Sequence, residues 1–221
     1  MKVEIKGYIV SDDEKEVYDY FGIGSTCPLD IKNAIEEAKG KPIHAEITTC
    51  YGGDIFAGSQ IYAALKGYEG AVDISITGLA ASAASIIAMA GPCDMSPTAM
   101  MMVHRVSSIT QGNYHDMDKE SGMLQQADKA MAAAYTTKSG MSEEEAISMM
   151  DKETWLTAQQ AVDKKLVDKV MFSQPRLVAA YSNSMLPKSV IEKTRSALHP
   201  APIVGAEIET IKAKLALQLA L

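Results

Sequence analysis

Four places in the chain hold residue types and spacings that could do chemistry. The first is Cys50-Tyr51-Gly52-Gly53-Asp54, between a strand pattern and a helix pattern. Paired glycines let the backbone turn sharply and leave N–H groups free to hold an anion or an oxyanion, although the same pair also makes a plain tight turn. The second is Gly78-Leu79-Ala80-Ala81-Ser82-Ala83-Ala84-Ser85. Ser82 falls at the first turn of a buried helix, where unpaired N–H groups favour negative charge and small neighbours admit a substrate backbone. A serine there can equally be a helix cap, and Ser85, one turn deeper, reads as core. The segment lacks G-x-S-x-G, which excludes the α/β-hydrolase elbow. The third is His104, which ends the apolar run 99–103. A rigid strand end is where a general base would be positioned, and also where a core histidine can sit. The fourth is Met150-Asp151-Lys152-Glu153-Thr154-Trp155-Leu156-Thr157-Ala158, with two acids before the only tryptophan. An acid there could orient His104 and stabilise its charged form, or could lie on a solvated helix end.

Nucleophile, base, acid and oxyanion donors are the parts of acyl transfer. A Ser–Lys pair has only Lys152 near in sequence. His44, His115 and His199 have no comparable setting. There is no H-E-x-x-H, no ligand spacing among the histidines, no phosphate loop and no dinucleotide fingerprint, so neither a metal nor a cofactor is expected.

The elements that must position these residues read as α/β. A strand pattern spans 3–10, with Val3, Ile5, Gly7 and Ile9 on one side, followed by a polar turn over 11–15. Pro28 opens a helix with Ile31, Ala34, Ile35 and Ala38 on its apolar face. Strands are expected at 43–48, at 72–76 (broken by Gly78) and at 99–104, with helices at 55–65 and 81–90. This alternation predicts parallel strands joined by crossover helices. A long polar helix follows at 115–138. Capping boxes at Ser142/Glu145 and Thr157/Gln160 start two more helices, and a strand closes the series at 166–172. Residues 1–174 are expected to form one domain, 175–205 a linker, and 206–221 an amphipathic helix with Ile208, Ile211, Leu215 and Leu219 at helical spacing, too short to be stable unless packed on something.

Composition narrows the class. A net charge of −7 without a Lys/Arg cluster argues against nucleic acid and anionic membrane as main partners. The three cysteines, Cys27, Cys50 and Cys93, are odd in number and form no C-x-x-C pair, which suits reduced thiols of a cytoplasmic protein. The first residues hold no apolar run of signal-peptide length, and the most apolar stretch, 79–91, is too short to span a bilayer.

Taken in series, the four places resemble the Clp peptidases, which carry a Gly-Gly turn, a G-x-A-A-S segment, a strand ending in Met-Ile-His, and an acid before F-L-(S/T)-A. Here these read C-Y-G-G-D, G78-L-A-A-S82-A, P97-T-A-M-M-M-V-H104 and E153-T-W-L-T-A158. The helix A161-V-D-K-K-L-V-D168 is similar to the family's closing segment, so the resemblance covers about residues 1–172. It implies a Clp/crotonase-like repeated β-β-α spiral with a helical handle at about 115–138. It also implies a serine endopeptidase with Ser82 as nucleophile, His104 as base, Glu153 as triad acid (Asp151 as the fallback), and the Gly52 and Ala83 N–H groups as oxyanion hole. Within the family, G7-Y-I-V-S-D-D-E-K-E-V-Y-D-Y-F, S82-A-A-S-I-I-A-M-A-G and E153-T-W-L-T-A are similar to the head-maturation proteases of tailed phages and prophages. That branch implies capsid or scaffold proteins as substrates, in the host bacterial cytoplasm or within the prohead. The family further implies a homo-oligomer, a ring of seven or a double ring. The chain departs from the family at Tyr51, where Pro is usual, at Asp54, where Ser is usual, and in a shorter segment between Ser82 and His104. Strand one starts almost at Met1, without the segment that forms axial loops, which speaks against docking to an ATP-driven unfoldase. Two other readings stand beside this one: a catalytically disused scaffold on the same fold, and a crotonase-type acyl-CoA enzyme, which would need neither Ser82 nor His104.

Overall fold

An eight-stranded sheet organises the computed structural model, which describes residues 1–173 and 192–195. In chain order the elements are β1 (Lys2–Ile9), α1 (Asp12–Tyr20), β2 (Ser25–Thr26), α2 (Pro28–Ala38), β3 (Ile43–Gly53), α3 (Ile55–Lys66), β4 (Val72–Ala81) and α4 (Ala83–Ile87), the last continued by a 3-10 turn, Ala88–Ala90. They continue with β5 (Cys93–Met95), β6 (Met100–Val103), α5 (Tyr114–Ser139), α6 (Glu143–Asp151), β7 (Thr154–Thr157), α7 (Ala158–Asp163) and β8 (Lys169–Val170). The strand order is β2-β1-β3-β4-β5-β8, with β6 pairing both β4 and β7. Every pairing is parallel except β6 with β7. This is the mixed α/β architecture expected, a parallel sheet with helices.

The core follows from the strand sequences. Ile5, Ile47 and Ile76 from β1, β3 and β4 are fully buried together with Ile61 of α3 and with Ala84 and Ile87 of α4. Small residues on α4 keep helix and sheet close. Strand β4 then divides its partners. Its first part, Ile74–Ile76, pairs with β5, and its last residues, Leu79–Ala81, pair with β6. That split brings the C-terminal ends of β4 and β6 side by side.

Four local expectations are corrected. Gly78 does not break β4, which runs on to Ala81. A Cβ at Gly78 would lie 2.0 Å from the Thr48 carbonyl oxygen, so glycine is there because the β3 and β4 backbones approach too closely for a side chain. Residues 11–15 belong not to a turn but to the start of α1, where Ser11 and Glu14 form a reciprocal capping box and Asp12, Asp13 and Glu14 favour the positive end of the helix dipole. Strand β3 continues to Gly53, past residue 48. Of 166–172, only Lys169–Val170 is strand. The capping boxes at Ser142/Glu145 and Thr157/Gln160 are both formed.

The long helix α5 is half-embedded. Asn113 caps it and Gly140 closes it, and its buried residues, Asp128, Ala132, Ala134 and Tyr135, all lie in its second half. The chain divides into two units, Met1–Gln174 and Pro175–Leu221. Residues 192–195 of the second unit are helical. The expected helix at 206–221, and the rest of the 175–205 segment, lie outside the described residues.

Candidate active site

Two parallel strand ends build the centre of the site. Ala81 pairs with Met102, and the N–H of Ser82 donates to the Met102 carbonyl at 2.9 Å. His104 follows β6 by one residue, so Ser82 and His104 leave the sheet as neighbours. The Ser82 hydroxyl oxygen lies 2.8 Å from His104 Nε2. For that hydroxyl to donate, Nε2 must be unprotonated, which puts the ring hydrogen on Nδ1. Among the described residues, no hydrogen bond is made to Nδ1. Lys152 has no bond to Ser82.

Ser82 has φ 55° and ψ −125°, outside the regions open to most side-chain-bearing residues. Such a backbone costs on the order of 1–3 kcal/mol and persists only where surroundings enforce it. Here the amide is held by Met102. The carbonyl accepts from the Ser85 N–H at 2.9 Å and from the Ser85 hydroxyl at 2.6 Å.

Gly52 presses on the same peptide from β3. It has φ 81°, and a Cβ there would sit 2.6 Å from Ser82 Cβ and 2.9 Å from the Ala83 nitrogen. Only glycine fits. Ala83 is the first residue of α4, so its N–H has no acceptor within the helix. Asp54, the departure after Gly-Gly, caps α3 by accepting from the Ala57 N–H at 2.8 Å.

The acids come from the end of α6, where Asp151 is its last residue, and from the turn into β7, which holds Glu153. In the antiparallel pairing of β6 with β7, Val103 pairs with Thr154, so Glu153, just before β7, and His104, just after β6, flank the last pair of the ladder. Glu153 has φ 45°, and its carboxylate accepts from the Trp155 indole N–H at 3.3 Å. Asp151 accepts from Arg105 Nε at 2.7 Å. The guanidinium holds the Asp151 carboxyl below the usual carboxylate range and is itself pushed up by Asp151 and Asp128. The structure thus brings Ser82 and His104 together and leaves both acids on other partners.

Arg105 and Asp128 were not singled out from the sequence. Arg105 also donates to Asp128 at 2.8 Å, and Asp128 accepts from the Val106 N–H at 2.8 Å. This ties the segment after His104 to α5. The available signal was Asp128 itself, an acid at i−4 from Ala132 and i−7 from Tyr135, on the buried face of the helix.

Beside Ser82 and His104 lies a narrow pocket of about 20 Å³, walled by Ile55, Ile86, Met131, Tyr135 and Met150. A wider groove, about 800 Å³, lies between the α5–α6 turn and the end of α7. It is lined by Lys152, Lys164 and Lys165 against Glu144, Glu145 and Asp163, and does not contain the serine–histidine pair. Among the described residues there is no His/Cys/Asp/Glu group arranged to hold a metal ion, and no helix long and apolar enough to cross a membrane.

A family model described as Clp protease matches residues 33–174. The chain is 26% identical over 175 residues to an ATP-dependent Clp protease proteolytic subunit 1 of Chlamydia abortus, a match covering 72% of this chain and 91% of that protein. It is 28% identical over 126 residues to an ATP-dependent Clp protease proteolytic subunit of Bacteroides fragilis, covering 56% of this chain and 61% of that protein. A Protochlamydia amoebophila protein named as proteolytic subunit 1 is 29% identical over 139 residues, covering 61% of this chain and 67% of its own length.

Proposed function

The chain belongs to the Clp protease family, and from that premise we propose that it hydrolyses peptide bonds through Ser82, His104 and Glu153. The observation that carries the reading is the 2.8 Å contact between the Ser82 hydroxyl and His104 Nε2, made at a strained nucleophile backbone. As Oγ attacks the scissile carbonyl carbon, His104 takes the hydroxyl proton. The carbonyl oxygen becomes an oxyanion and is held by the Gly52 and Ala83 N–H groups. Collapse expels the amine, which receives the proton from His104 and leaves an acyl-enzyme. Water, deprotonated by His104, then releases the acid and restores the serine. Glu153 supports the imidazolium by turning from Trp155 to Nδ1–H, a move favoured by its place at the end of the β6–β7 ladder that His104 also leaves. Asp151 is less suited, because Arg105 already engages it.

The finer reading is a head-maturation protease of phage or prophage type, cutting capsid or scaffold proteins in the bacterial cytoplasm or prohead. It is supported by the motifs shared with that branch. A ring of identical subunits fits the reading, since closed assembly hides a protease from the wrong substrates, and the first half of α5 has no buried residue of its own.

A fluorophosphonate applied to the purified protein tests the chemistry. The expected adduct lies on Ser82, is absent from Ser82→Ala, and is lost or greatly slowed in His104→Ala. A second reading, a disused site on a scaffold protein, is favoured by the engagement of both acids elsewhere. A folded, assembled sample that acquires no adduct would establish it over the first.

A further inference from the structure

We propose that Ser85 and Tyr135 are positioning residues that aim the oxyanion-binding peptide of Ser82 and Ala83, a role that rests on the hydrolytic reading above. The carbonyl of Ser82 and the N–H of Ala83 belong to one peptide group. That group is planar and trans, so the two point in opposite directions. Whatever grips the Ser82 oxygen therefore sets the direction of the Ala83 N–H.

The grip comes from one residue. Ser85 donates its N–H to the Ser82 oxygen at 2.9 Å and its hydroxyl to the same oxygen at 2.6 Å. A serine hydroxyl has a single hydrogen, and this one is spent on Ser82. The 2.7 Å contact between Ser85 Oγ and the Tyr135 hydroxyl is then a bond donated by Tyr135. Ser85 is 0% exposed and Tyr135 1%, so no water competes for either bond. The relay runs from α5 through Ser85 to the peptide beside the nucleophile. From the other side Gly52 leaves no free space, with the Ala83 nitrogen within 2.9 Å of where a Cβ would be. Hydrogen bonds to a carbonyl also polarise the N–H of the same peptide, making it a better donor as charge develops on the substrate.

A serine that only back-bonds within its helix would contribute to stability and nothing else. The aiming role makes a different demand, because it acts on the rate at which Ser82 acylates. Loss of a whole oxyanion donor costs on the order of a hundredfold, so a mis-aimed donor should cost about tenfold. Ser85→Ala, Tyr135→Phe and the double variant change little volume. In the full chain, the rate of fluorophosphonate acylation at Ser82 and the fraction labelled at completion are measured for each. With a peptide substrate, kcat and KM are separated.

The expected result is a fall in acylation rate and kcat of about tenfold for Ser85→Ala and about threefold for Tyr135→Phe, with KM unchanged and full labelling at completion. The double variant should be no slower than Ser85→Ala, because Tyr135 acts through Ser85. Variants that label at the wild-type rate, whether fully or to a reduced fraction, would overturn the role while leaving the hydrolytic reading intact. If Ser85→Ala does not fold, Tyr135→Phe decides alone, since it removes one oxygen and keeps the ring. Wild-type protein that never acquires the adduct overturns the hydrolytic reading, and this role with it.

Discussion

Ser82 and His104 stand at the ends of adjacent parallel strands, while Asp151 ends a helix and Glu153 stands in the turn from it to a short antiparallel strand. In the first region every degree of freedom is taken up. Met102, Ser85 and Gly52 surround the Ser82 peptide, and the serine–histidine contact is already at hydrogen-bond length. In the second, Glu153 is exposed, its carboxylate bonded among the described residues only to the indole of Trp155, and Asp151 is drawn to Arg105. Parallel strand ends buried in a sheet place atoms to within a bond length. A surface turn places a residue in register and leaves its side chain to choose a partner. The serine–histidine end is built, and the carboxylate end is adjustable.

The contrast would be broken most severely at Gly52. In Gly52→Ala the new methyl would meet Ser82 Cβ at 2.6 Å and the Ala81 oxygen at 2.7 Å, from a residue at φ 81°. Backbone strain and displacement of the proposed oxyanion donors should together cut kcat by about a hundredfold or more and lower stability by roughly 1–3 kcal/mol. Peptidase turnover and the thermal midpoint check this. A Gly52→Ala protein with wild-type turnover would mean that the corner yields, and that the distinction between the two regions is wrong.

The next effect sharpens the comparison by asking which acid the turn supplies. Glu153→Gln keeps the size and removes the charge that would support the imidazolium, and a loss in kcat of about a hundredfold is expected. Asp151→Asn should change kcat by less than about fivefold, because its charge is spent on an exposed ion pair with Arg105. Turnover of the two variants at saturating peptide decides. The reverse order would move the acid to Asp151, and near-wild-type activity in both would leave the site a serine–histidine dyad.

How much of this was readable in advance follows from the range of each signal. Short local signals were legible: the glycine pair, the serine before an alanine-rich helix, the histidine ending a strand, and the capping boxes at Ser142 and Thr157 all lie within a few residues of one another. Helix α1 was missed although Ser11 and Glu14 spell the same capping box, because none of its residues is buried. Gly78 was misread because a glycine that breaks a strand and one that lets two backbones touch look the same in one dimension. Strand β7 is four residues long, and its pairing with β6 brings Glu153 to the ladder end that His104 leaves, yet nothing within Thr154–Thr157 names its partner. The Arg105 bridge to Asp128 and Asp151 spans 23 and 46 residues, a distance over which a sequence pattern says nothing.

The smallest effect tests the rigidity of the built region through its thiols. Cys50, two residues before Gly52 in β3, is fully buried, and burial pushes its thiol up to about 11. Cys93 on β5 is pushed up to about 12 by the same cause, with Lys138 opposing. An unfolded thiol titrates near about 8.5. Above that pH the unfolded chain gives up these protons while the native chain keeps them, so raised thiols contribute stability that is present below about 8.5 and is lost as pH rises toward 11 and 12. The thermal midpoint should therefore be level from pH 7 to 8 and fall by a few degrees between pH 9 and 11. Iodoacetamide at pH 8 should leave Cys50 unmodified in the native protein and modify it readily in denaturant. Native-state alkylation of Cys50 at the denatured rate would show that the strand carrying Gly52 opens freely. The serine–histidine end would then be no more fixed than the carboxylate end it is contrasted with.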